Sequence, residues 1–374
     1  MTKHWLMQLS AVVLAAAMVA PAAAQSTQDN TAFGGASGEF LLLGAGARGA
    51  ALGGGFAALT TDVTAMYYNP AGLAQLARPT VEVGTFDYLV ETRYTWAGMA
   101  FPMSGGVRSI GVALGTFGFG DQPIYTVDNP DGDGTTYSVR ETFISGTYAQ
   151  NFSDRFAAGF TIKFISDALG DTEASGFALD LGTSFHASVG ARPLRASFTI
   201  QNLGSGLEHQ GEALDVGVTR EPPLGTVDVP QEEQPARLRA GDWGLPVMFR
   251  VGVAMDLVSH GNNRVTLLGE FNQPNNTKAA GSLGAEWMGA NLGGSGFSLA
   301  ARGSWTLMPD NQIDDINFAG IPTSESDGGL TSDGLALGGG VEYQRADWRL
   351  GFDYAWRNMG TLGNINVFSF RLGW

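Results

Sequence analysis

From about residue 80 to the carboxyl terminus, large apolar side chains alternate with polar or small ones. Trp348, Leu350, Phe352, Tyr354 and Trp356 fall on one face of an extended segment, and Arg349, Gly351, Asp353, Ala355 and Arg357 on the other. A helix of about 3.6 residues per turn could not separate these sets, whereas a strand does so automatically. Val247, Phe249, Val251, Val253, Met255 and Leu257 stand in the same way against Arg250 and Asp256. Phe297, Leu299, Ala301, Trp305 and Leu307 oppose Ser298, Arg302, Ser304 and Thr306, and Phe177, Leu179, Leu181 and Phe185 oppose Asp180, Ser184 and His186. The pattern predicts about 14 strands. They fall near 80–90, 92–102, 107–119, 137–151, 155–168, 174–188, 192–202, 246–259, 263–273, 278–289, 296–308, 333–344, 347–357 and 364–374. Most reach the length that a tilted membrane-crossing strand needs.

The connections point the same way. Ser104-Gly105-Gly106, Phe152-Ser153-Asp154, Val189-Gly190-Ala191, His260-Gly261-Asn262 and Arg345-Ala346 read as tight turns. Longer polar stretches lie near 120–136, 169–173, 203–245, 274–277, 309–332 and 358–363. Short and long connections alternate, the one near residue 91 excepted, which is the layout of an outer-membrane barrel. A soluble β-sandwich gives no reason for that alternation. Lipid cannot satisfy open backbone groups, so such a sheet must close. The expectation is an all-β protein, a transmembrane antiparallel β-barrel of about 14 strands over residues 80–374, with an N-terminal plug or hatch. Parity turns the aromatic faces to lipid and Arg250, Glu270, Glu286, Arg302, Glu342 and Asp353 to the lumen, with Lys163, Asp180, Asp256, Arg349 and Arg371. Their mixed signs suit an ion-paired interior better than an open pore selective for one charge.

Composition agrees. Glycine occupies 54 of 374 positions, about twice ordinary usage, and only 15 % of residues are charged. The formal net charge of −15 excludes a general grip on nucleic-acid phosphates. The absence of cysteine excludes disulfides, thiolate metal sites and cysteine nucleophiles, and four histidines leave little for a metal centre. At the amino terminus, Lys3 and His4 precede an apolar run that ends Pro21-Ala22-Ala23-Ala24-Gln25. This reads as a secretory signal peptide over residues 1–24, cleaved after Ala24. The expected address is the outer membrane of a Gram-negative cell, with lipid as the surrounding partner. No G-x-S-x-G or H-E-x-x-H motif is present, and no cofactor or catalytic role is expected.

Residues 25–79 lack the alternation. Gly44, Gly46 and Gly49 spell G-x-G-x-x-G, but Gly53-Gly54-Gly55 would interrupt the helix a dinucleotide site requires, and no βαβ succession follows. Close packing of backbone is the better reading of these glycines, with a short helix near Thr64–Tyr68 stopped by Asn69-Pro70. Arg48 and Asp62, the only charges between Gly44 and Leu73, are placed to pair inside the lumen. Asn129-Pro-Asp-Gly-Asp-Gly134 begins like a calcium loop, but the twelfth position is Arg140 rather than glutamate, which favours a glycine-rich turn.

The run Gly46-Ala47-Arg48-Gly49, Gly54-Gly55-Phe56-Ala57-Ala58, Asp62, Ala65, Tyr68 and Asn69-Pro70-Ala71-Gly72-Leu73 resembles the N-terminal motif of the PorV/PorQ family, within the wider FadL-like outer-membrane barrels. Leu245-Pro246, Phe249–Gly252, Asp353-Tyr354, Gly360, Leu362-Gly363 and Phe368–Phe370 extend the likeness. The resemblance implies a 14-stranded barrel with a hatch built on Arg48, Asp62, Asn69, Pro70, Ala71 and Gly72. Family members usually carry an acidic pair where this chain has Thr61-Asp62. The PorV branch implies an accessory of type IX secretion, with secreted cargo and secretion machinery as partners. The FadL branch implies a channel for long-chain fatty acids or other hydrophobic small molecules. Fold alone does not choose. The acidic, proline-bearing stretch 203–245 is long enough for a docking platform or a solvated external loop. A channel should show an apolar path from rim to hatch, and a docking protein a sealed lumen.

Overall fold

The computed structural model describes residues 34–127, 129–219, 233–307 and 334–374. The expected signal peptide, the first part of the expected plug, residues 220–232 of the long 203–245 stretch and all of the connection near 309–332 lie outside the described residues. Fourteen antiparallel strands form one closed wall: β1 (Thr80–Asp87), β2 (Arg93–Met103), β3 (Arg108–Pro123), β4 (Thr136–Ser153), β5 (Phe156–Leu169), β6 (Thr172–Val189), β7 (Arg192–Gly204), β8 (Met248–His260), β9 (Asn263–Pro274), β10 (Ala280–Gly289), β11 (Phe297–Leu307), β12 (Leu335–Arg345), β13 (Trp348–Asn358) and β14 (Asn364–Gly373). Each pairs with its sequence neighbours, and β14 pairs back onto β1 with Thr80 opposite Gly373 and Thr85 opposite Phe368. No barrel strand is left with an open edge, as lipid demands.

Parity sorts the two faces. Phe352 is 46 % exposed while its neighbour Asp353 is 5 % exposed, and Phe177 is 61 % exposed against 0 % for Asp180. An outer surface of this apolarity is compatible only with hydrocarbon around it. Near one end, aromatic pairs ring the wall: Phe101 with Trp374 (6.3 Å between centroids), Phe152 with Phe156 (6.0 Å) and Phe297 with Tyr343 (4.6 Å). That belt marks a membrane interface.

Connections 104–107, 154–155, 190–191, 261–262, 290–296 and 346–347 share this end, called here the turn end. The other seven lie at the loop end. The expected alternation of lengths holds less well than the alternation of ends, because 170–171 is a two-residue turn at the loop end rather than a longer connection. The short 88–92 connection is no exception in topology, since it joins β1 to β2 at the loop end. Strands β3 and β4 also outrun their expected bounds, continuing as a hairpin in which Phe119 stacks edge-on against Tyr137 (5.8 Å).

Candidate functional site

The wall's inward side chains are polar, and a large share of them are spent on the backbone of residues 34–79. The segment begins at the loop end. There Ser37 N–H donates to the Gly244 carbonyl (2.9 Å), Asn276 donates to Glu39 (2.8 Å), and Leu41, Leu207 and Leu245 are buried together. Helix α1 (Gly46–Ala51) follows against β12, β13, β14 and β1. Ala47 N–H donates to Ser369 Oγ (2.6 Å), and the Ala51 carbonyl accepts from Ser304 Oγ (3.0 Å). Gly49 gives the ring of Tyr68 the space a side chain would occupy. Across the lumen, Arg250 Nη1 donates to the Gly54 carbonyl (2.9 Å), and Glu270 Oε2 accepts from Ala57 N–H (2.8 Å).

Helix α2 (Ala65–Tyr68) ends at Asn69, as the Asn-Pro signal predicts. Asn69 Oδ1 accepts from Ala71 N–H (3.2 Å), capping the 3-10 turn Pro70–Gln75, while its Nδ2 donates to the carbonyls of Ala57 (3.1 Å) and Thr183 (3.2 Å). Pro70 sits at the first position of that turn, where its missing N–H costs nothing. Gly72 is pressed against the Thr60 carbonyl, and Gly159 and Gly182 in the wall make room for Pro70. Ala71 and Gly72 are buried with Asn69 and Pro70. The Asn-Pro-Ala-Gly block is thus a joint between segment and wall near the turn end.

Arg48 is the centre of the charges. Its Nε and Nη2 form a two-pronged pair with Glu286 (2.8 Å each), and Nη1 donates to Asp62 Oδ2 (2.8 Å). Glu286 also accepts from Arg302 Nε (2.8 Å), Arg302 Nη1 donates to Asp353 (2.5 Å), and Asp353 accepts from Arg371 (2.7 Å). Arg371 reaches Glu82 (3.0 Å) and, more distantly, Glu342 (3.9 Å). Burial would push the Asp62 carboxyl up. Arg48, Arg371 and the Thr64 hydroxyl outweigh it and hold Asp62 below the usual carboxylate range. Burial would likewise weaken Arg48's hold on its proton, but Glu286 and Asp62 raise it above the ordinary guanidinium.

The expected pairing of Arg48 with Asp62 is therefore formed, and Glu286, Arg302 and Asp353 join it. Arg250 and Glu270 form a separate pair (3.3 Å), with Gln201 accepting from Arg250 Nε (2.9 Å). Glu342 stays at the margin beside Arg349 (3.3 Å). Lys163 and Asp180 make a third pair (2.7 Å) at β5–β6. Glu82 and Gln201 were not singled out from the sequence. The signal for Glu82 was available: it shares its face of β1 with Thr80 and Gly84, opposite Val81 and Val83. Among the described residues no three His, Asp or Glu side chains converge as metal ligands.

A space of about 50 Å³, water-sized, is lined by Arg48, Arg302, Glu342, Asp353 and Arg371. Towards the loop end, aromatic and aliphatic side chains line much of the β1–β5 and β14 side of the lumen, with the inward carboxylates Glu141 and Asp167 paired in register on β4 and β5. Tyr88 and Phe117 pair at the rim (6.0 Å), Tyr88 touches Phe86 (6.2 Å), and Phe86 touches Tyr94 (5.3 Å). Trp96, Phe143, Ile165, Ile365 and Val367 continue this lining, and Phe40 of the segment fills it, 6.1 Å from Phe143.

A closed, outwardly apolar 14-stranded wall around a buried N-terminal segment defines a transmembrane β-barrel with an occupied lumen. The toluene transporter TodX of Pseudomonas putida superposes with a TM-score of 0.52 at 12 % identity, over 88 % of this chain and 96 % of TodX. The monoaromatic hydrocarbon channel CymD gives 0.54 at 13 %, over 89 % and 98 %. The toluene transporter TbuX of Ralstonia pickettii gives 0.52 at 12 %, over 90 % and 100 %. At these identities the shared property is the fold. No family model and no curated protein sequence matches the chain.

Proposed function

We propose that the protein is an outer-membrane channel for small hydrophobic molecules, held closed by residues 25–79 acting as a plug after removal of residues 1–24. The observation that carries this reading is the aromatic track from Tyr88 and Phe117 at the rim through Phe86 and Tyr94 to the segment. Water has little reason to enter such a track, and an apolar solute gains by doing so. Structural neighbours described as toluene transporters and hydrocarbon channels support it. The test is uptake of toluene and of a long-chain fatty acid by cells expressing the protein in place of their own hydrophobic-compound channels. Uptake above the empty-vector level is expected, and Phe86→Asp should abolish it while the barrel still assembles. Absence of uptake of both compounds would sink the proposal.

The filled lumen favours a second reading, the accessory role in type IX secretion that the PorV/PorQ resemblance implies. Recovery of secreted cargo or translocon components in near-stoichiometric amounts with the detergent-extracted protein, without bound hydrophobic compounds, would select it.

A further inference from the structure

On the lipid-facing side of β2–β5 lies a groove of about 330 Å³. Met99, Phe101, Ile110, Val112, Tyr148 and Phe160 line it. Its floor exists because Gly146 faces outward with no atom within 4 Å of where a side chain would begin. A smooth lipid-facing wall needs no such recess, and surrounding acyl chains must fill it or leave contacts unmade.

The foot of the groove is polar. Arg108 is the next outward residue of β3 below Ile110, and Gln150 the next outward residue of β4 below Tyr148; the two stand opposite each other in register. Tyr148 Oη donates to Gln150 Oε1 (2.7 Å), which leaves the Gln150 amide as a donor beside the Arg108 guanidinium. Among the described residues Arg108 forms no ion pair, and exposed charges near the turn end include the basic Arg108, Arg155, Arg192 and Arg345 beside the acidic Asp154 and Asp347. The loop end is instead rich in carboxylates, among them Asp121, Asp131, Asp171 and Glu173.

We propose that this groove is a binding site for one anionic phospholipid, with an acyl chain over Gly146 and the phosphate at Arg108 and Gln150. A tail of about the groove's dimensions gains buried apolar area, and a phosphate meets donors without a competing carboxylate. The site depends on the barrel alone, whatever the barrel conducts.

The full chain, stripped of lipid in detergent and then exposed to mixed phosphatidylglycerol and phosphatidylethanolamine vesicles, is examined by native mass spectrometry. One phosphatidylglycerol retained per barrel in preference to phosphatidylethanolamine is expected. Gly146→Leu should lose that lipid, since its side chain enters open space and fills the recess, with heat-modifiable gel mobility reporting an intact barrel. Arg108→Glu should reduce the preference for the anionic lipid by about fivefold or more, the scale of one basic residue at a charged surface. Equal retention of both lipids by the native chain overturns the proposal, as does undiminished retention by a folded Gly146→Leu barrel. A dimer that Gly146→Leu dissociates also overturns it, because the occupant would then be a second copy.

Discussion

Arg48 satisfies two carboxylates at once, and neither has water to turn to: the Glu286 side chain is 1 % exposed and that of Asp62 11 %. Removing the guanidinium leaves those charges buried with one partner fewer. Arg48→Ala should therefore cost about 3–5 kcal/mol, the usual penalty for breaking a buried pair from one side. The check is the urea midpoint for release of residues 34–79, read by protease accessibility. Arg48→Lys should recover only part of the loss, because an ammonium cannot make the two-pronged contact with Glu286. The low-lying Asp62 carboxyl also fixes an acid limit. An unfolded aspartate titrates near about 3.9, and the folded one lies below that. Its contribution is thus fully present at neutral pH and is lost as pH falls through the folded value. Pepsin should begin to cut within residues 34–79 only below about pH 4, and Asp62→Asn should flatten that dependence. Constant resistance of the native chain down to pH 2 would contradict it. At this scale the sequence was half legible. Parity alone turned Glu286, Arg302 and Asp353 inward, but the meeting of Arg48 with a residue 238 positions away depends on strand register and on where the segment threads. Neither is a local property.

Among elements, the strands were the most legible because period-two alternation survives any register. Their ends were less so: β3 and β4 continue beyond the band, where both faces meet water and the alternation fades. The two short helices were legible for a different reason. Small residues and an Asn-Pro stop mark them, and the packing explains both. Helix α1 lies close to its neighbours because Gly49 yields its side-chain volume to Tyr68. Gly49→Val should unseat the helix and take Arg48 with it, costing about 1–3 kcal/mol or more by overpacking. Increased proteolysis within 34–79 with unchanged barrel mobility on a gel would be the signature. Asn69→Ala, which removes one cap, one bond within the segment and one bond to the wall, should destabilise the same joint by about 1–2 kcal/mol.

Taken whole, the molecule has a greasy exterior, a charged and water-poor interior, and an aromatic cluster near one rim. Planar bilayers should show little ionic current through the native protein. An engineered deletion of residues 34–51, which removes Arg48 and the segment's apolar occupant Phe40, should produce ohmic conductance. Native-level silence in that deletion would mean the remaining segment seals the lumen unaided. The path of the segment has another consequence, one of timing. It starts among the connections of the loop end, runs past residues on nearly every strand, and joins β1 at the turn end. Ala47 bonds Ser369, 322 positions later, and the seam that completes the cylinder joins the first strand to the last. A chain cannot readily be drawn through a ring that is already shut. Residues 34–79 are made before every strand they bond, so they go unrewarded by those partners until the final strand of the wall arrives, and closure is slow by topology.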